Sequence, residues 1–160
     1  MKAGYFLVLF FLTGVKAWSQ LPKTEDSLRV YLDTHPRDTS YILALNDYAF
    51  IKIRAGDFKE TNALIEEMDV LCRKLDYKTG FYKVINMRGV VEYSAHNPQK
   101  AMEYFLKGQE IIEKYNLPQK TYQNSLNNIG IIYDQMGDRE SATRYAVQLI
   151  VTRKRTGSAP

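Results

Sequence analysis

Cysteine is nearly absent from this chain: Cys72 stands alone among 160 residues. A lone thiol forms no internal disulfide, so no cross-link within the chain holds it together. Met68, Val70, Leu71 and Leu75 surround it in sequence, and a buried structural thiol is expected there. Histidine is almost as scarce. His35 and His96 lie far apart in expected turns, and no His/Cys cluster has zinc-site spacing, so no metal ligand is assigned. Glycine and proline are few, at 9 and 5, and are placed at intervals, so they read as punctuation between helices. None of Gly89, Gly130 and Gly137 follows a strand-like run, which leaves no phosphate-cradling loop. Acid pairs such as Glu66-Glu67 fall on expected exposed faces. With no catalytic constellation, neither enzyme activity nor a cofactor is expected.

Strong charge of one sign is also lacking. The formal net charge is +4, and removal of Lys2 and Lys16 with a leader would leave +2. That is too little to argue for a nucleic-acid partner. The basic run Arg153-Lys154-Arg155 could touch a phosphate or a membrane surface, and reads at least as well as a plain helix end favoured by the helix dipole. Residues 1–19 read as a secretory signal peptide. Lys2 supplies the positive end, Tyr5 to Leu12 the apolar stretch, and Ala17 and Ser19 the small residues at the −3 and −1 positions of a cut before Gln20. An uncleaved N-terminal anchor is the rival reading. Export to a bacterial periplasm or the extracellular space is therefore expected.

What the sequence does contain is a repeat. Its third copy runs Leu126-Asn-Asn-Ile129-Gly130-Ile-Ile-Tyr133, then Gly137-Asp138, then Ala142 and Tyr145. The second has Ile85, Gly89, His96-Asn97-Pro98, Ala101 and Phe105; the first has Leu45, Ala49, Gly56-Asp57 and Ile65. Each copy places a small residue in one helix and a turn seven positions later. The second and third add another small residue early in the next helix. Mid-helix glycine costs roughly 1 kcal/mol relative to alanine, so its recurrence calls for close helix approach. Gly56 and Gly137 are expected left-handed C-terminal caps, followed by an aspartate able to cap the next helix. Helices are expected near 25–33, 39–54, 58–75, 79–95, 98–115, 119–136 and 139–154, with an N-terminal segment at 20–38, the repeat domain at 39–155 and a disordered tail at 156–160.

These motifs resemble the tetratricopeptide repeat family over roughly residues 41–153. The third copy matches through Leu126, Ile129, Gly130, Tyr133, Gly137, Asp138 and Ala142. The second departs at Arg88 and Glu92, and the first at Tyr48, Ala49 and Thr61. Spacing is also longer than the family's usual period of about 34 residues. Ala49, Gly89 and Gly130 are 40 and 41 residues apart. Such long repeats look like those of bacterial peptide-sensing regulators and of the secreted halves of sensor kinases in Bacteroidetes-type bacteria. The resemblance implies an all-α fold: a right-handed α-solenoid of three helical hairpins, near 41–77, 81–117 and 122–155, after a short N-terminal helix.

In such an array the first helix of each hairpin lines a concave face. The residue three before each small residue should point into it, and all three are asparagine: Asn46, Asn86 and Asn127. An amide offers both donor and acceptor and so matches an extended peptide backbone. The same asparagines could instead link neighbouring hairpins, and both readings stand at this point. Neighbouring candidates are Phe50, Arg54, Lys83, Val90, Tyr93, Asn124, Ile131 and Gln135. The expected function is a scaffold for a protein or peptide partner, with no specific small molecule. The alternative is the ligand-binding half of a membrane signalling receptor. The apolar Tyr145, Val147, Leu149, Ile150 and Val151 of the last helix raise the further expectation of a homodimer through that helix.

Overall fold

A computed structural model describes residues 21–155, so the expected leader and tail lie outside the described residues. Those described form seven helices and no strand: α1 (Glu25–Thr34), α2 (Thr39–Arg54), α3 (Phe58–Lys74), α4 (Lys78–Ser94), α5 (Pro98–Lys114), α6 (Gln119–Gln135) and α7 (Arg139–Arg155). The expected all-α class holds, and each helix end falls within one residue of its expected position.

Local chemistry sets these ends. Asp38 caps α2 by accepting from the backbone N–H of Ser40 at 2.8 Å and of Tyr41 at 3.0 Å. Asp57 and Asp138 cap α3 and α7 by accepting from Glu60 and Ser141 N–H, each at 3.0 Å. Asn97 precedes α5 without a side-chain cap bond. Its amide donates to Glu92 Oε2 at 3.1 Å, and Pro98 occupies the first turn of α5, where a missing N–H does no harm.

The C-terminal caps show a regularity finer than the repeat. Gly56 and Gly137 have φ of 76° and 81°, as expected. Asp76, His96 and Asn116 occupy the same left-handed region at 50°, 61° and 46°. The five positions are spaced 20, 20, 20 and 21 residues apart. In every case that residue's N–H returns to the carbonyl three residues back, and the next N–H to the carbonyl five back: Gly56 to Ile53 with Asp57 to Lys52, for example, and His96 to Tyr93 with Asn97 to Glu92. One paired-bond stop thus ends α2 through α6 alike. A side chain in this region is disfavoured by about 1 kcal/mol or more. His96→Gly should therefore raise stability by about 0.5–1 kcal/mol, net of glycine's extra unfolded-state freedom, read as a higher Tm of the full chain.

Consecutive helices pack on one another, and α2 also touches α4. Ile42, Leu45, Ile65, Met68 and Met87 bury the joint of α2, α3 and α4. Ala101 and Phe105 of α5 bury against Ile129 and Ile132 of α6. Val90 packs against both clusters and joins them. At the N-terminal end, Leu28 is fully buried against Ala44 and Tyr48. Lys52 of α2 also bridges Glu25 of α1 at 2.5 Å and Glu60 of α3 at 2.9 Å. Burying a leucine contributes about 1.5–3 kcal/mol, an exposed ion pair about 0–1 kcal/mol, so Leu28 dominates the docking of α1.

Candidate functional site

Three helices present polar side chains to a common cleft of about 380 Å³. Asn46 and Phe50 come from α2, Lys83 and Asn86 from α4, and Asn124 and Asn127 from α6. Within each helix the spacing is three or four residues, which keeps each pair on one face. Six of the eleven residues expected on the concave face therefore share one cleft. Tyr82, Asn128 and Arg153 complete its lining. Tyr82 lies four before Asn86 and Asn128 four after Asn124, so helical spacing alone could have found both. Arg153 arrives from the far end of α7, where Gln119 Nε2 donates to the Thr152 carbonyl at 3.3 Å and pins that end beside the start of α6.

The other five expected residues lie elsewhere. Arg54 borders a recess of about 360 Å³ next to α1, with Asp47 and Phe50. Ile131 borders another of about 360 Å³ between α6 and α7, with Asn127, Ala142 and Leu149. Val90 is taken up by the core packing described above. Tyr93 and Gln135 are exposed near the C-terminal ends of α4 and α6, about two turns beyond the cleft-lining residues.

The three asparagines expected on the concave face, Asn46, Asn86 and Asn127, differ in their bonding. Asn46 is buried, and its amide donates to Asp47 Oδ1 at 3.0 Å. Asn86 is half-buried, and its Oδ1 accepts from Asn128 Nδ2 at 2.6 Å and from the Tyr82 hydroxyl at 3.3 Å. The first of these bonds joins α6 to α4, which is the linking role weighed for these asparagines. Asn127 is exposed to the cleft. Burial also sets the protonation chemistry. Desolvation pulls the Lys83 ammonium below its ordinary range, with the Asp47 charge opposing the shift. Desolvation raises the Tyr82 hydroxyl far above its usual value, so it stays a neutral donor.

Among the described residues, no group of three His, Cys, Asp or Glu side chains is placed to hold a metal ion. No described helix is long and apolar enough to cross a membrane. Cys72 lies buried between helices, its thiol pushed up to about 11 chiefly by desolvation, which keeps it protonated. Compared with known proteins, the chain matches no protein-family model and no curated protein.

Proposed function

We propose that this chain is a non-catalytic scaffold that holds an extended peptide, or an extended segment of a partner protein, in the asparagine-lined cleft. In this reading α2/α3, α4/α5 and α6/α7 are three tetratricopeptide-type hairpins, stacked as a right-handed solenoid with α1 on its first face. Packing of each helix on the next, with the extra α2–α4 contact, supports that arrangement. The single observation that carries the function is the convergence of Asn46, Asn86, Asn124, Asn127 and Asn128 from three helices on one open cleft. Amides at successive levels can pair with successive N–H and C=O groups of a backbone without reading its side chains.

The test separates gripping amides from linking ones. Asn124 and Asn127 are exposed to the cleft, and among the described residues their side chains make no hydrogen bond, so their replacement leaves the Asn86–Asn128 bond intact. Randomised neutral decapeptides passed over the immobilised full chain should be retained. The Asn124→Ala/Asn127→Ala variant, with an unchanged circular-dichroism melt, should retain roughly tenfold less, the equivalent of one or two neutral hydrogen bonds. Equal retention by the two proteins removes these amides from the mechanism.

A further inference from the structure

The bonding of Asn86 gives the cleft a polarity that its composition alone does not. Both donors that reach this side chain, Asn128 Nδ2 and the Tyr82 hydroxyl, converge on its oxygen. The acceptor end is therefore occupied, and the two amide N–H groups are what Asn86 offers to a ligand. Beside it, three residues earlier on the same face of α4, Lys83 brings its ammonium to the cleft, and Arg153 brings a guanidinium from α7. Among the described residues, no carboxylate lines this cleft. The carboxylate whose charge reaches Lys83 is Asp47, which borders the neighbouring recess and makes no ion pair with it within 4 Å. A partly buried cation with no carboxylate bonded to it is a costly arrangement, consistent with the downward displacement of its protonation range. An incoming anion would relieve that cost.

We infer that the cleft receives an oxyanion carried by the bound segment, held between Lys83 Nζ and the Asn86 amide N–H groups. The inference rests on the peptide-holding reading and specifies its ligand: a segment with a carboxylate side chain or a phosphorylated residue, flanked by backbone that the remaining amides grip. Lys83 supplies a point charge, Asn86 supplies direction, and Asn128 with Tyr82 fixes which end of Asn86 faces the ligand.

Three pools of otherwise randomised neutral decapeptides test this, with one central position fixed as glutamate, phosphoserine or glutamine. Each is passed over the immobilised full chain, and the retained fraction is measured by mass spectrometry. The glutamate or phosphoserine pool should be retained roughly tenfold over glutamine, the equivalent of one charge-assisted hydrogen bond. That preference should vanish in Lys83→Gln and persist in Lys83→Arg. Preference for both anionic pools means that a carboxylate suffices; preference for phosphoserine alone means that the dianion is required. Equal retention of all three pools overturns the oxyanion inference and leaves peptide holding in place. Retention of none overturns both.

Discussion

Adding one methyl group at Gly89 should destabilise the chain by about 2 kcal/mol, while the same addition at Gly130 should stabilise it by up to about 1 kcal/mol. Both glycines occupy the same place in the repeat, and both gain helix propensity on becoming alanine. What differs is the space. A Cβ on Gly89 would lie 2.5 Å from Phe105 Cε1 and 2.8 Å from Cδ1. That ring is buried and packed against Ala101, Ile129 and Ile132, so it has nowhere to retreat. At Gly130 the nearest atoms are Tyr145 Cβ at 3.4 Å and the Ala142 carbonyl oxygen at 3.8 Å, which is ordinary contact. Denaturant unfolding of Gly89→Ala and Gly130→Ala should move the midpoints in opposite directions. A neutral Gly89→Ala would show that the α4–α5 approach is looser than the ring position requires. Phe105→Leu should relieve part of the Gly89→Ala loss, because the two changes share one contact.

Gly80 carries the second large effect. A Cβ there would meet Cys72 Sγ at 2.3 Å and Tyr77 Cδ1 at 2.6 Å. Cys72 is fully buried in the α2–α3–α4 core, so Gly80→Ala should cost about 2–3 kcal/mol. Cys72→Ala removes the sulfur and leaves a small void, itself worth about 1 kcal/mol. In a double-mutant cycle, the cost of Gly80→Ala should fall by roughly 1 kcal/mol when position 72 is alanine, with Tyr77 holding back full relief. Strict additivity would mean that the sulfur does not block this site. The prediction also gives the lone thiol a structural role: it fills the hollow that Gly80 leaves open.

Helix boundaries were legible because they are written in short-range chemistry. Asp57, Asp138 and Pro98 mark starts, while Gly56 and Gly137 mark stops. Asp76, His96 and Asn116 were not read as left-handed stops, since only glycine advertises that conformation. The 20-residue spacing identifies them once the glycines are fixed. The close approach expected at every small residue proved uneven: tight at Gly89, slack at Gly130. That difference depends on which side chain the facing helix brings up, Phe105 in one case and the Cβ of Tyr145 in the other, and no local pattern encodes it.

The cleft was legible to the extent that register decides facing. Counting back from Ala49, Gly89 and Gly130 placed Asn46, Asn86 and Asn127 on one surface. Counting could not tell that Asn46 would turn its amide to Asp47, or that Asn86 would be held by Asn128 from another helix. Those are outcomes of how deeply each helix seats. Val90, a neighbouring candidate for the open face, instead lies between two core clusters because α4 is covered on more sides than its neighbours. Arg153 was out of reach of any count along one helix, since it enters the cleft only through the antiparallel return of α7.

Packing of each helix on its immediate neighbours also bears on how quickly the chain can assemble. Most native contacts join residues close along the backbone, so little loop-closure entropy must be surrendered before contacts begin to form. Each pair can collapse where it stands and offer its successor a ready surface. Chains wired in this way belong to the rapid end of the folding spectrum, and one emerging in order from its N-terminus would have little to wait for.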